Sequence, residues 1–520
     1  MAATKRNGIA VAQMSDMILR PKFEIGLLAI AVAVTRFVFR SHYLYDLDSV
    51  NFGLAIGRFD PRVYQPHPPG YFLYICLGRV LNFLLHDANL ALVVMSILAS
   101  CGVVIVIYKM ALDWFGRSAA RFAGAIFLFS PLAWFHGTVA LTYSVEAFFS
   151  ALLGYLCWRI SCGNKQLISL AAITLGVSAG VRPSSLLFLS PLFLFSLWKG
   201  RLKSRSVVVG LAALVLTLAC WTIPMLWASG GIKVYFGALS SLWQLVPSKG
   251  MVFNSSPATS IARAFTIVFI FLLSFGAASL APLAVMRRVE PADRGRLMFT
   301  VAWIAPALCF FTFIFLKFVN SGYLLLLSAP GCIYLGYCLA EWWAKSKWPE
   351  AAKLGLLAVG ATINVLIFLG SPLYCSYRSV RHFETQLAGI CQALPEVASA
   401  SDTLILSFDS HYLGYRHAGY YLPGYLTLQY PEVKLREGTR IFAMQDDDTR
   451  LLDGLQTAAY SKFVVFPLAE NAENKQYLQK VMSKLPSLGL TVVHRDGKEF
   501  VIGPVSELPL LFPPTPPPAK

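Results

Sequence analysis

Charge is scarce in this chain. Of its 520 residues, 14% are Asp, Glu, Lys or Arg, whereas 56% are hydrophobic. A soluble protein of this length would carry more charge and fewer apolar runs. Apolar runs of about 20 residues indicate transmembrane helices instead of a buried soluble core. The composition therefore excludes an ordinary soluble enzyme and predicts an α-helical polytopic membrane protein.

Other absences exclude further classes of protein. The chain has no basic run interleaved with aromatic residues, so its net charge of +17 indicates basic cytoplasmic loops and no nucleic-acid partner. Its ten cysteines contain no CxxC pair, which removes a zinc or thioredoxin-like signal. Cys375 and Cys391 lie in one C-terminal segment and could form a disulfide in an oxidising compartment.

The hydropathy pattern predicts about eleven membrane spans. They fall at residues 23–40, 88–111, 118–136, 138–160, 165–181, 183–199, 205–228, 259–286, 297–317, 320–340 and 352–372. Residues 70–86 are apolar but interrupted by Arg79 and Asn82, so we expect a helix at the membrane interface. The polar N-terminus and the absence of a small-residue cleavage site after the first span predict an uncleaved signal anchor.

Basic residues concentrate in alternate loops. The loops predicted to face inward hold Arg117, Arg121, Arg159, Lys165, Lys199, Arg201, Lys203, Arg205, Arg287, Arg288, Arg294, Arg296, Lys345 and Lys347. This positive-inside pattern puts residues 41–87, residues 229–258 and everything after residue 372 on the outer face.

Four parts follow from this topology. We expect a cytoplasmic segment over 1–22, a transmembrane domain over 23–372, a small outer α/β domain over 373–505 and a Pro-rich disordered tail over 506–520. Short strands are predicted at 403–408, 440–444 and 462–466, and a helix at 477–485. Residues 490–502 predict a hairpin whose turn is Asp496-Gly497.

The first outer loop concentrates ionisable residues. If residues 47–59 form a short helix, Asp48, Asn51 and Arg58 lie along one side, beside an apolar stripe that can rest on the membrane surface. Asp48 would then face a cavity. The alternative is that Asp46 caps the helix and Asp48 only favours its dipole.

His67 lies in the segment Gln-Pro-His-Pro-Pro-Gly, which the prolines make stiff. A stiff segment positions a side chain well, although it also suits a plain turn with a solvated histidine. A divalent metal held by Asp46, Asp48 and His67 is a further hypothesis, but no ligand-spacing motif supports it.

Three ionisable residues lie within or beside predicted spans. Glu146 is near the outer end of its span, where a charge is costly and so indicates function, or else a buried basic partner. Arg182 and Lys317 lie at outer membrane depth. Two cations there suit a phosphate, whereas the alternative is that they reach toward lipid headgroups.

These features resemble the GT-C class of membrane glycosyltransferases, particularly the protein O-mannosyltransferase and aminoarabinose-transferase group. The resemblance is strongest in the segments 48–55 and 67–71, and continues through 143–146, 180–183 and 322–325. The family's first loop usually carries an Asp-Glu pair. Here Ser49 follows Asp48, so only Asp48 matches.

The resemblance implies an inverting transfer from a polyprenyl-phosphate sugar donor, on the periplasmic or lumenal face, to a glycan, lipid or protein hydroxyl. Asp48 would be the general base, and Arg182 with Lys317 would stabilise the departing phosphate. Glu146, His67, Arg58, Asn51 and Tyr323 would bind substrate or shape the site. A bacterial inner membrane is the expected location. The sequence has no glycine-rich loop of the kind that binds nucleotide phosphates, which argues against a nucleotide-sugar donor.

A transporter or flippase for a lipid-linked or small polar substrate is the main alternative, since many spans carry intramembrane charges. The absence of an internal repeat does not favour it. A non-enzymatic scaffold displaying the outer domain leaves Asp48 and Arg182 unexplained.

Overall fold

The computed structural model describes residues 21–201, 203–245, 257–285, 294–313, 318–372, 375–407, 410–429, 434–435, 439–440, 460–466, 479, 483 and 490–506. Two compact units make up the chain. The helical unit comprises Met1–Ser41, Tyr71–Met225 and Val246–Ser379. The sheet unit comprises His42–Gly70, Leu226–Leu245 and Val380–Lys520.

The described α-helices are given in chain order. They are α1 (Pro21–Val38), α2 (Leu47–Gly57), α3 (Phe72–Leu85), α4 (Ala88–Phe115), α5 (Arg117–Leu128), α6 (Pro131–His136), α7 (Tyr143–Ser161), α8 (Ile168–Val181), α9 (Ser184–Lys199), α10 (Ser204–Ala228), α11 (Ile232–Leu245), α12 (Pro257–Phe275), α13 (Ala281–Val285), α14 (Arg294–Phe313), α15 (Ser328–Lys345), α16 (Glu350–Gly370), α17 (Tyr377–Val397) and α18 (Tyr415–Tyr421). Short 3₁₀ segments are Pro61–Val63, Lys165–Leu167, Gly276–Leu280 and Phe318–Leu327.

Among the described residues, six helical segments are long and apolar enough to cross a membrane. They are Ala88–Phe115, Ser204–Ala228, Ala264–Leu283, Arg294–Phe313, Ser321–Lys345 and Glu350–Gly370. Shorter apolar helices cover Phe72–Leu85, Lys165–Val181 and Ser184–Lys199. These helices support an integral, multi-pass membrane protein, whereas the count of eleven spans stays a prediction.

One predicted span is divided in the structure. Residues 118–136 form α5 and α6, separated at Phe129 and Ser130. Pro131 cannot donate a backbone hydrogen bond to α5, and the Ser130 hydroxyl instead accepts from the amide of Ala133 at 3.1 Å. A new helix therefore starts there, and its last residue is His136.

The core of the helical unit is built around α4, which packs against α1, α3, α5, α7 and α15. The contact between α15 and α5 depends on Gly336. A Cβ atom at this position would lie 2.6 Å from the Ala123 amide nitrogen and 2.7 Å from the Ala119 carbonyl oxygen. Small residues allow such close approach of helix backbones in membranes.

The sheet unit contains seven described strands. They are β1 (Thr403–Ser407), β2 (Thr427–Gln429), β3 (Lys434–Leu435), β4 (Thr439–Arg440), β5 (Lys462–Val465), β6 (Thr491–Arg495) and β7 (Lys498–Pro504). Five form a sheet in the order β2-β1-β5-β7-β6, and β3 pairs with β4. β1 runs parallel to β2 and β5, whereas β7 is antiparallel to β5 and β6.

The predicted hairpin is confirmed. β6 and β7 pair with Arg495 opposite Lys498, and Asp496 and Gly497 both have positive φ, at 47° and 72°. A two-residue turn of this kind matches the twist of its strands. The strands predicted near 403–408 and 462–466 are also confirmed.

Several predictions fall wholly or largely outside the described residues. They are most of the strand at 440–444, nearly all of the helix at 477–485, the tail beyond residue 506 and part of the outer segment 229–258. Cys375 and Cys391 are free thiols in the structure, so the disulfide considered from the sequence is not formed.

The charge pattern predicts that residues 41–87 and the connection before α10 lie on opposite sides of the membrane. We expect His86→Cys, at an exposed position, to react with an impermeant maleimide in intact cells. Lys203→Cys, also exposed, should react only after permeabilisation. The background should carry serine at the exposed Cys162, Cys220 and Cys309. Equal labelling of both variants in intact cells would overturn the topology.

Candidate functional site

Arg182 lies where α8 ends and α9 begins. The residue before a proline avoids helical geometry, and Arg182, which precedes Pro183, has φ −148° and ψ 108°. The chain therefore leaves the helix at this point. The side chain points into the interior of the helical unit and is almost fully buried.

A buried ion pair holds this side chain. Its Nε atom lies 3.4 Å from Oε2 of Glu146 on α7, and its Nη1 donates to the Thr142 hydroxyl at 3.0 Å. The Ser185 hydroxyl donates to the other oxygen of Glu146 at 2.9 Å. The sequence left open a buried basic partner for Glu146, and that partner is Arg182. Pairing and hydrogen bonding compensate both charges away from water.

Three tyrosines surround the guanidinium group. Its central carbon lies 4.1 Å from the ring centroid of Tyr323, 4.6 Å from that of Tyr143 and 6.0 Å from that of Tyr71. Aromatic faces attract a cation at these distances. Within the described residues, Nη2 makes no hydrogen bond, so Arg182 retains a donor for a ligand. We call Arg182, Glu146, Thr142, Ser185 and the three tyrosines the arginine cluster.

His136, which the sequence analysis missed, lies beside this cluster. Its ring centroid is 4.9 Å from that of Tyr143, and the residue has no exposed surface. Neither ring nitrogen has a hydrogen-bond partner among the described residues. The available signal was an ionisable residue inside an apolar run, the same rule that selected Glu146.

In the sheet unit, the predicted loop helix is α2, and Asp46 is its N-cap. The Asp46 carboxylate accepts the amide hydrogen of Asp48 at 2.9 Å, as the capping alternative expected. The sequence predicted burial only along the apolar stripe of this helix. The structure also buries Ser49, Asn51 and Gly53, which lie outside that stripe. The Asn51 Oδ1 atom has no hydrogen-bond partner among the described residues.

Asp48 lies beside His67. The Asp48 Oδ1 atom is 3.3 Å from Nδ1 of His67, and 33% of the Asp48 side chain remains exposed. A backbone bridge between Asp60 and Gln65 begins the segment that carries His67. The Phe52 ring, 5.9 Å from that of His67, supports the imidazole. His67 is thus mostly buried beside Asp48, unlike the solvated histidine of the plain-turn alternative, and its role in the site stays a prediction.

A second acidic group in this loop is occupied by arginines. Asp60 accepts from Nε and Nη2 of Arg62 at 2.8 and 2.7 Å, and from Nη2 of Arg58 at 3.1 Å. Burial raises the pKa of Asp60, but the hydrogen bonds and charge of Arg62, with Arg58, outweigh burial and lower it overall. Arg58 is mostly exposed, so its predicted role in substrate binding stays a hypothesis.

Asp46 has an environment opposite to that of Asp60. Burial, followed by the neighbouring Asp48 carboxylate, raises the pKa of Asp46 to about 7. His411 and the amide of Asp48 act against this shift. The loop therefore contains carboxyl groups of different acidity.

Two predicted elements remain without structural support. Lys317 lies outside the described residues. Within the parts of the chain that the structure describes, no group of three or more His, Cys, Asp or Glu side chains is arranged to hold a metal ion.

Comparisons with known proteins give the fold. Residues 62–206 match the family profile described as the protein O-mannosyl-transferase TMEM260 N-terminal domain. ArnT from Cupriavidus metallidurans, in crystals bound to undecaprenyl phosphate, shares 14% identity over 92% of this chain and 97% of that chain, with a TM-score of 0.62. The chain has the GT-C glycosyltransferase fold.

The apo form of the same ArnT matches with a TM-score of 0.57, at the same identity and coverage. AglB from Archaeoglobus fulgidus, an archaeal oligosaccharyltransferase, has a TM-score of 0.48 at 11% identity, over 92% of this chain and 74% of that chain. No curated protein is significantly similar to the chain. The resemblance to GT-C enzymes inferred from the sequence is confirmed, and the matched range 62–206 includes His67, Glu146 and Arg182.

The raised pKa of Asp46 predicts a pH-dependent stability. The folded protein binds this proton more tightly than the unfolded chain, so its stabilising contribution is complete below pH 3.8 and is lost as the pH rises to about 7. Asp46→Asn keeps a good N-cap but cannot ionise. Thermal unfolding should show the variant gaining stability relative to the wild type as the pH rises through this window. If the unfolding temperatures of the wild type and of Asp46→Asn changed in parallel with pH, the raised pKa of Asp46 would be contradicted.

Proposed function

We propose that the protein is a membrane glycosyltransferase that transfers a sugar from a polyprenyl-phosphate donor to an acceptor hydroxyl on the outer face. The carrying observation is the likeness over nearly the whole chain to ArnT, whose crystal structure contains undecaprenyl phosphate. In a bacterial cell the proposed location is the inner membrane, with the reaction on the periplasmic face. The acceptor is a glycan, a lipid or a protein.

Asp48 is the proposed general base. Three other carboxyl groups are less suitable, because Glu146 is paired with Arg182, Asp60 is paired with two arginines, and Asp46 is a buried cap. Asp48 keeps a third of its side chain exposed beside a histidine. A base must reach the proton that it removes, and Asp48 meets this requirement best.

The proposed reaction is a single displacement with inversion. Asp48 takes the proton of the acceptor hydroxyl as its oxygen forms a bond to the anomeric carbon. The bond from that carbon to the phosphate oxygen breaks, and polyprenyl phosphate leaves with the electron pair. His67 hydrogen-bonds Asp48 or the acceptor, and Asn51 and Arg58 contribute to acceptor binding.

Arg182 is the proposed partner of the leaving phosphate. Its charge, and an Nη2 donor that makes no hydrogen bond to the described part of the chain, suit an oxyanion whose charge grows as the bond breaks. Tyr323 and Tyr143 hold the guanidinium plane, and Glu146 fixes its direction through Nε. Lys317 is proposed as a second cation on the phosphate.

The base assignment predicts that Asp48→Asn loses sugar transfer. Removing a general base lowers the rate by about 10²–10⁴-fold. The assay incubates the purified protein in lipid nanodiscs with a panel of polyprenyl-phosphate sugars and measures released polyprenyl phosphate. Asp402→Asn, at a partly exposed carboxylate of the sheet unit that pairs with Lys462, is the control and should retain wild-type activity.

Transfer by Asp48→Asn at the wild-type rate would reject Asp48 as the base. Movement of the lipid-linked sugar across vesicle membranes without any transfer would favour the transporter alternative over the enzyme.

The role of Arg182 is best tested with a charge-matched pair of variants. Arg182→Gln alone leaves Glu146 buried without its partner, which typically destabilises by about 3–5 kcal/mol. Arg182→Gln combined with Glu146→Gln removes both charges and should fold. We expect this double variant to lower kcat/KM for the lipid donor at least about tenfold, since hydrogen bonds to charged groups contribute about 1.5–3 kcal/mol. An unchanged kcat/KM for the donor would remove Arg182 from the site.

A further inference from the structure

We propose that His136 is a second binding residue for the phosphate of the lipid donor, acting beside Arg182. The inference rests on the proposed function, because it identifies the phosphate group as the ligand. Its structural basis is the juxtaposition of two buried groups. Among the described residues, the imidazole of His136 has no hydrogen-bond partner and Nη2 of Arg182 makes no hydrogen bond.

The first step concerns the imidazole itself. His136 ends the short helix α6 and has no exposed surface. Both its ring nitrogens lack hydrogen-bond partners within the described part of the chain. Buried polar atoms in folded proteins are nearly always hydrogen-bonded, so an unpartnered group calls for an explanation. A ligand that accepts a hydrogen bond would supply the missing partner.

The second step places this ring in the arginine cluster. Tyr143 contacts both residues, with its ring centroid 4.9 Å from that of His136 and 4.6 Å from the central guanidinium carbon of Arg182. The carboxylate nearest to Arg182, that of Glu146, is already bonded to Ser185 as well as to Arg182. The ligand that completes both donors must therefore bring its own acceptor oxygens, and the phosphodiester of the lipid donor does so, as does the phosphate monoester that leaves.

The third step concerns access. Gly322 lies against His136 and Tyr143, and a Cβ at this position would be 2.8 Å from Cε1 of His136 and 2.3 Å from Cδ2 of Tyr143. Gly322 belongs to the 3₁₀ segment Phe318–Leu327, which is longer than such segments usually are and so marks a place where the helix can readjust. A shift of this segment would open His136 to the phosphate.

The test measures binding, independently of turnover. Full-length protein in nanodiscs is titrated with undecaprenyl phosphate and, in parallel, with undecaprenol, which lacks the phosphate. His136→Phe should weaken binding of undecaprenyl phosphate by roughly 10- to 100-fold and leave binding of undecaprenol unchanged. His136→Gln or His136→Asn should restore part of the phosphate-dependent affinity, because each amide keeps a donor near one ring nitrogen.

The control is Trp114→Phe. It removes another buried ring N–H that lacks a partner among the described residues, at the C-terminal end of α4, and should bind both lipids as the wild type does. If His136→Phe lost binding of both lipids equally, or lost binding of neither, the proposal would be overturned. If His136→Phe does not fold, His136→Gln decides: weaker binding of undecaprenyl phosphate with unchanged binding of undecaprenol supports the proposal, whereas equal loss of binding of both lipids, or no loss of either, overturns it.

The outcomes separate this inference from the enzyme assignment. Selective binding of undecaprenyl phosphate through His136 without any sugar transfer would support the inference while rejecting the glycosyltransferase. Normal sugar transfer, together with phosphate binding that does not depend on His136, would support the glycosyltransferase and reject the role of His136.

Discussion

The ion pair between Arg182 and Glu146 is the constraint on which the helical unit depends. Both groups are buried, and an unpaired charge there would cost several kcal/mol. Glu146 lies on α7, Arg182 follows α8, and Ser185 lies in the first turn of α9. One charge pair therefore fixes three helix ends. Such a pair adds little net stability compared with apolar packing, but it strongly penalises any arrangement that separates its members.

The same constraint also orients the arginine cluster in the way that the proposed chemistry requires. Glu146 takes Nε, Thr142 takes Nη1, and the tyrosine rings hold the guanidinium plane. Electrostatic catalysis depends on donors that are oriented before the reaction begins, because reorientation during the reaction costs free energy. An arginine fixed on two of its nitrogens meets this condition better than a lysine, whose flexible point charge has no preferred plane.

The sequence could predict whatever depends on local pattern. Hydropathy revealed the membrane helices, the Asp496-Gly497 turn predicted its hairpin, and the position of Asp46 before an amphipathic stretch suggested its cap. The features that the sequence could not predict depend on contacts between residues far apart in the chain. Glu146 and Arg182 were both identified as unusual, but nothing local indicated that they pair. His136 was overlooked because an apolar run with one histidine also describes an ordinary packed helix end.

The first loop places two neighbouring carboxyl groups in different environments. The family pattern of an Asp-Glu pair is absent, because Ser49 follows Asp48, yet a second carboxyl is present on the other side, at Asp46. It is buried and accepts the Asp48 amide, and its pKa is raised to about 7. Asp48 remains partly exposed beside His67. Neighbouring titratable groups whose environments differ in this way take different roles. The cap that starts the helix therefore lies directly beside the carboxylate that is the proposed base.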